Sequence, residues 1–206
     1  GWPQEDKDAI LSGFLADVHA CKARTILDVG CGDGWLTAKI AADAESVTGI
    51  DKDSDMLDKA RRHKDRDNIT YKHIDIADLH TLEERFDLAT STLTLQLLGN
   101  QDVFQQFLSD VPADEIIMVV PHPFSVDKDE EHATYTFPET FQYHEGGEYE
   151  VWLDSGDEGI SFSSKHMPMS AYLNAVANSS FEIKHVREYG GERFPFFLQL
   201  HLQRTI

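Results

Sequence analysis

Apolar residues recur along the first 120 positions in two alternating rhythms. Short runs at 25–29, 47–50, 69–74, 86–90 and 115–120 have the length of buried strands. Between them, residues 34–42 bring Leu36, Ile40 and Ala41 to one helical face, and residues 54–63 do the same for Met56, Leu57 and Ala60. A helix is also predicted ahead of the first strand, over 4–21, where Ile10, Phe14, Leu15 and Val18 form a stripe that would pack on the sheet. Strands alternating with helices of this size imply βα units and a parallel sheet. Past Pro121 the period changes. Alternating stretches at 134–137 and 149–153, set apart by Gly146-Gly147 and Ser155-Gly156, read as β-hairpin material. A helix over 169–177 and strands over 181–186 and 195–203 close the chain, with no internal repeat and no low-complexity tract.

The 206 residues suit one α/β domain carrying an insertion. Lys and Arg number 18 against 37 Asp and Glu, a formal net charge of −19, which argues against a nucleic acid partner because phosphates are held by cations. The densest basic run, 59–66, is itself interrupted by Asp65. The acid is concentrated: residues 122–166 hold eleven Asp and Glu against two Lys, together with eight aromatics and four of the ten histidines. Cys21 and Cys31 make neither a disulfide framework nor a zinc-type spacing, so no metal is expected and a reducing, cytoplasmic setting is the default. No apolar run is long enough for a membrane span, and the N-terminus lacks the basic and apolar regions of a signal peptide. The opening Gly1-Trp2-Pro3 reads as a cut end with an upstream segment before it.

The chemistry concentrates in Ile26-Leu-Asp-Val-Gly-Cys-Gly-Asp-Gly-Trp35, a hydrophobic strand running into a glycine turn and then a helix. Glycines there let the chain turn tightly and let a ligand approach the backbone. A dinucleotide fingerprint needs a third glycine where Trp35 stands, and no Gly-Lys-Ser/Thr follows, so neither that reading nor a P-loop fits. Asp51 closes the next strand and Asp75 the one after. In a doubly wound sheet Asp28, Asp51 and Asp75 converge on the crevice at the strand ends. There a carboxylate like Asp51 suits two ribose hydroxyls, one like Asp75 an adenine amino group, and the loop with Asp28 a zwitterionic amino acid.

On these residues the chain resembles the class I S-adenosylmethionine-dependent methyltransferases, closest to their broad small-molecule branch. The motifs are DVGCGDG at 28–34, GID at 49–51, HIDIADL at 73–79 and FDLATSTLTLQLL at 86–98, and the resemblance runs in order over 4–120 and again over 169–203. It implies a Rossmann-like seven-stranded sheet ordered 3-2-1-4-5-7-6, last strand antiparallel, flanked by helices. One domain, 1–206, would then carry a β-rich cap, 122–166, inserted after the fifth strand. It further implies that Gly30, Gly32 and Gly34 face the methionine part of the cofactor. Asp51, with Lys52 beside it, would take the ribose, Asp75 and Ile76 the adenine with Met56 packed on it, and Ser91 and Thr92 the sulfonium side. Asp28 would act through structure or water. The product would be S-adenosylhomocysteine. Subclass marks are absent: residues 90–93 read Thr-Ser-Thr-Leu in place of Asp/Asn-Pro-Pro-Tyr. Two cysteines are too few for arsenic chemistry, and Asn100 with Asp102 is thin for a metal-dependent catechol-type site.

Methyl transfer from a sulfonium requires alignment, plus removal of a proton where the acceptor demands it. His122, between two prolines after the fifth strand, and His166, ahead of the last helix, are the candidate catalytic groups, although a proline-flanked histidine equally suits a turn cap. Tyr143, His144 and Trp152 are candidates for an aromatic pocket or for the insertion's own core. A nitrogen or sulfur acceptor needs no base. The expected function is methylation of a small molecule at N or O, with a neutral or cationic acceptor favoured by an acidic, aromatic cap. The rival readings are a protein or peptide methyltransferase and a non-catalytic S-adenosylmethionine-binding partner subunit.

Overall fold

The computed structural model describes residues 4–62, 66–97, 99–124, 133–153, 160–190 and 195–205. The chain runs α1 (Gln4–Cys21), β1 (Thr25–Val29), α2 (Trp35–Ile40), β2 (Ser46–Asp51), α3 (Ser54–Arg62) and β3 (Ile69–His73). A 3-10 helix at Ile76–Thr81 leads to β4 (Phe86–Thr92), a second at Leu95–Leu97 to α4 (Gln101–Asp110) and β5 (Ala113–Pro121). Three strands follow, β6 (Ala133–Thr136), β7 (Gly147–Leu153) and β8 (Ile160–His166), then α5 (Met169–Ala177), β9 (Phe181–Tyr189) and β10 (Phe197–Arg204).

The main sheet has the order β3-β2-β1-β4-β5-β10-β9, and β6-β7-β8 form a separate three-stranded sheet. With the three inserted strands left out of the count, that order is 3-2-1-4-5-7-6. The first five strands are mutually parallel, in registers such as Asp28 with Gly49 and Thr90 with Ile117. β10 runs antiparallel to both β5 and β9.

Strands buried on both faces explain the near-continuous apolar runs. One face carries Phe14 and Val18 of α1 and Ile40 of α2 on Ile26, Val47, Leu88, Ile117 and Val119. The other carries Phe104, Phe107 and Leu108 of α4 with Tyr172 and Val176 of α5 on Leu27, Ala89, Ile116 and Met118. Phe104 meets Tyr172 edge to face at 5.3 Å between centroids, so cutting it to alanine would cost roughly 3–5 kcal/mol. α3 buries Leu57 and Ala60 but leaves Met56 on its exposed side, a narrower apolar face than the sequence spacing suggested. Two elements absent from the sequence reading are α4 and β8. α4 is started by Asn100, whose side chain accepts from Val103 N–H.

Of the 122–166 insertion, residues 125–132 and 154–159, with the Ser155-Gly156 turn, lie outside the described residues, as do Gly1-Trp2-Pro3, His63 and Leu98. Among the described residues, no helix is long and apolar enough to cross a membrane.

Candidate active site

The first βα turn is tied to the second strand. Gly30 N–H and Cys31 N–H both donate to the Ile50 carbonyl, at 2.8 and 3.0 Å. Gly32 N–H donates to Asp51 Oδ2 at 2.8 Å, and Asp53 N–H to Asp51 Oδ1 at 2.9 Å. The Asp51 carboxylate is therefore oriented from both sides by backbone, and each oxygen keeps a lone pair for an incoming hydroxyl. Asp75 caps the 3-10 helix through Oδ1, which accepts from Ala77 N–H.

Glycine is required at two points of the loop. Gly30 has φ +73°, and a Cβ there would lie 2.2 Å from Thr94 Oγ1. Gly34 has φ +80°, and its Cβ would meet the Tyr71 hydroxyl at 2.3 Å. Gly30 is thus pressed by the segment that follows β4, and Gly34 by β3.

A cleft of about 140 Å³ opens at the C-terminal ends of β1, β2 and β3, walled by Val29, Ile50, Ile74, Ile76 and Leu97 and edged by Gly30, Asp51, Lys52, Asp75 and Thr94. Of the sequence candidates it brings together Gly30, Asp51, Lys52, Asp75 and Ile76. The others lie elsewhere. Gly32 borders open space at the tip of the turn, with nothing near the position of a Cβ, and Met56 is 36% exposed on α3. Ser91 is fully buried and donates to the Val29 carbonyl at 3.1 Å, pinning β4 to β1. Thr92 keeps its hydroxyl oxygen buried without a hydrogen-bond partner among the described residues.

Asp28 is buried, 3% exposed, and accepts from Thr37 Oγ1 at 2.6 Å and Thr90 Oγ1 at 2.9 Å. Burial pushes its carboxyl above the usual range, against the two hydroxyl donors and with help from the Asp51 charge. These two bonds lock β1 to α2 and β4. Burial also pushes the Cys31 thiol up, so this loop cysteine stays protonated.

Thr94 and Leu97 were missed by sequence reasoning. Both depend on the turn at Leu93, a non-glycine residue at φ +54°, which folds the 94–97 segment back over the glycine loop. Thr94 Oγ1 lies 3.3 Å from the carbonyl oxygens of Gly30 and Thr92.

The two candidate histidines sit in one aromatic row. His122, 1% exposed, stands 5.5 Å from the Phe124 ring; Phe124 stacks on Tyr143 at 5.3 Å, and Tyr143 lies 4.9 Å from His166. Both nitrogens of His122 are engaged. Nδ1 accepts from Phe124 N–H at 3.1 Å, and Nε2 lies 2.8 Å from Glu188 Oε1. An N–H can only donate, so the proton sits on Nε2 and points at the carboxylate. His166 donates from Nε2 to the Tyr143 carbonyl at 3.2 Å, and burial holds its pKa below the usual histidine value. His144 meets Tyr143 edge on, whereas Trp152 is 44% exposed.

Residues 26–111 match the methyltransferase domain family. The ubiquinone biosynthesis O-methyltransferase of Coxiella burnetii is 38% identical over 79 residues, 37% of this chain and 34% of that protein. The chain thus spans about a third of the length of the curated relatives it matches. A putative S-adenosylmethionine-dependent methyltransferase from Listeria monocytogenes superposes with a TM-score of 0.68 at 21% identity, over 95% of this chain and 99% of that one. A sugar N-methyltransferase from Streptoalloteichus does so with a TM-score of 0.69 at 17% identity, over 95% and 87%. Residues 26–111 thus match the methyltransferase domain family, and the fold of the chain is that of the class I, Rossmann-like S-adenosylmethionine-dependent methyltransferases.

Proposed function

We propose that this protein transfers a methyl group from S-adenosylmethionine to a small-molecule acceptor by in-line displacement, at nitrogen in preference to oxygen. The observation that carries the cofactor half is the Asp51 carboxylate. It is held by Gly32 and Asp53 N–H groups at the mouth of an apolar slot, with one acceptor position left on each oxygen. The donor set fits the nucleoside: a carboxylate for a diol, a flat slot between Ile50, Ile74, Ile76 and Leu97 for a purine, and Asp75 at its rim for an exocyclic amine. The orphaned Thr92 hydroxyl, beside the turn that covers Gly30, suits the sulfonium side. Gly32 and Gly34 shape the loop for the methionine part, and Lys52 lies at the rim of the slot. The cofactor, when bound, supplies a methyl group already activated by the sulfonium.

What the chain contributes is alignment. Near-attack placement replaces a bimolecular encounter and can remove about 7–11 kcal/mol of the barrier. On the acceptor side His122 is a positioning residue. Its Nδ1 is occupied by Phe124 N–H and its Nε2–H faces Glu188, so no lone pair is free to take a proton. That arrangement favours an amine, which is nucleophilic once neutral, over an alcohol, which needs a base at the moment of attack. His166 orders the aromatic row through Tyr143, and residues 122–166 act as the substrate cap of a single domain.

The test is incubation with methyl-labelled S-adenosylmethionine and a metabolite extract, alongside calorimetry with S-adenosylhomocysteine. Binding followed by label transfer to a low-molecular-weight amine is expected. Absence of binding overturns the cofactor assignment, and binding without any transfer favours the partner-subunit reading.

A further inference from the structure

In the half of the main sheet away from the cofactor cleft, where α1 packs on β5 and β10, three metal-ligating side chains meet that are far apart in sequence. Cys21 is the last residue of α1, Glu115 lies near the start of β5, and His201 lies on β10. In the antiparallel β5–β10 pair, His201 faces Ile117 and Gln203 faces Glu115, so His201 and Glu115 are diagonal neighbours on the face that α1 covers. Cys21 Sγ is 3.6 Å from His201 Nε2 and 3.5 Å from Glu115 Oε2, and these two atoms are 2.6 Å apart. His201 is buried and the other two are half-buried, close enough to the surface for an ion to enter.

We propose that Cys21, Glu115 and His201 form a zinc-class divalent metal site, independent of the methyl-transfer centre. The donor set is one soft sulfur, one imidazole nitrogen and one carboxylate oxygen, the mixture that suits Zn²⁺ rather than Mg²⁺ or Ca²⁺. With tetrahedral angles and ordinary zinc bond lengths, the sulfur–nitrogen and sulfur–oxygen edges come to about 3.6 Å and the nitrogen–oxygen edge to about 3.4 Å. Two of the three observed edges already match. The third is a hydrogen bond that widens by roughly 0.8 Å when an ion with such bond lengths takes the place of the shared proton. On binding, the thiol proton leaves to solvent as the sulfur–metal bond forms, and the His201 ring carries its proton on Nδ1. Lys184 Nζ, 3.0 Å from Glu115 Oε2, shifts to the other carboxylate oxygen. Lys184 reaches Glu115 because the β9–β10 register slips by one residue between His201 and Leu202, a bulge that re-aims the side chain. The fourth position is left for water.

Such an ion would staple the end of α1 to β5 and β10. The test uses Co²⁺ as a spectroscopic stand-in and Zn²⁺ as competitor with the intact chain. One equivalent of Co²⁺ is expected to give a thiolate-to-metal charge-transfer band and intense tetrahedral d–d bands, both removed by excess Zn²⁺. Cys21→Ser should abolish the charge-transfer band, and His201→Gln should lower metal affinity at least tenfold. Cys31→Ala should leave both bands in place. Lys184→Met, which frees Glu115 from its ammonium, should tighten binding. The site is overturned if the wild type shows no band, if the band survives Cys21→Ser, or if it is lost with Cys31→Ala. Should Cys21→Ser fail to fold, the His201→Gln titration decides, and undiminished affinity there overturns the site.

Discussion

Replacing Asp51 by alanine separates a ligand-binding carboxylate from a mere strand-end residue. In the free protein Asp51 accepts two backbone N–H groups, at 2.8 and 2.9 Å, at a half-buried position where water can replace it. Losing them costs about 1 kcal/mol of stability, a fall in Tm of roughly 2–4 °C for a chain of this size. Binding loses more. Two hydroxyls on a carboxylate, each worth about 1.5 kcal/mol at the low end for charged hydrogen bonds, sum to about 3 kcal/mol. That is a loss of affinity for S-adenosylhomocysteine on the order of 100-fold. Calorimetry on wild type and Asp51→Ala, each with S-adenosylhomocysteine and with an analogue lacking both ribose hydroxyls, closes a double-mutant cycle. The wild type should lose most of its affinity on the change of ligand and the variant little. A variant within threefold of wild type, or equal losses on both proteins, would refute the ribose assignment.

Three further outcomes follow from the site. Asp28 has a pKa raised by burial, so its ionised form is disfavoured by folding. The wild type should therefore lose stability relative to Asp28→Asn as pH climbs from the ordinary 3.8 to the raised value; urea melts should show the asparagine variant ahead at pH 7 and level with wild type at low pH. Gly30→Ala drives a methyl group against Thr94, 2.2 Å away, in a left-handed backbone; about 1–3 kcal/mol of stability should go, and cofactor affinity with it, most of the affinity returning in Gly30→Ala/Thr94→Gly. His122→Gln should lower kcat with little change in cofactor affinity, since both His122 nitrogens are committed, to Phe124 N–H and to Glu188; an unchanged kcat would refute the positioning role.

Much of this architecture was legible because it is local. β1, α1 and α5 lie where the apolar pattern placed them, β1 as a run buried on both faces and the helices through Phe14 and Val18 of α1 and Tyr172 and Val176 of α5. α4 also carried its signal, with Asn100 as cap and Phe104, Phe107 and Leu108 at helical spacing, yet the preceding Leu-rich run masked its start. β8 alternates too weakly to stand out, with Ser163 and Ser164 at its centre. In the site, Gly30, Asp51 and Asp75 were readable because each sits at a strand end, where topology alone aims it at the crevice. Thr94 and Leu97 were not, because their approach depends on a single left-handed residue, Leu93. Long-range partners were equally invisible: Glu188 reaches His122 across 66 residues, and His201 reaches Cys21 across 180.

The acidity of the insertion acquires a more definite physical role once its strands are seen. Along β7, Tyr149 and Val151 are buried while Glu148, Glu150 and Trp152 face outward, and Glu139 and Glu145 are exposed beside them. The aromatic row runs from buried His122 through exposed Phe124 and half-buried Tyr143 to buried His166. The described carboxylates thus face solvent while the rings cluster together, which separates two effects that composition alone had merged. Exposed charges act through their field, over a screening length of about 8 Å at physiological salt. They raise the local concentration of a cation and speed its arrival more than they hold it. On the proposed function, retention would fall to the rings, through apolar contact and cation–π attraction. On the proposed reading, solvent-facing carboxylates beside that aromatic row would favour an amine twice, by its rate of encounter while it is protonated and by contact once it has arrived. Alkylation of such an amine would then require that it shed its proton, and with both nitrogens of His122 engaged, that proton would go to solvent.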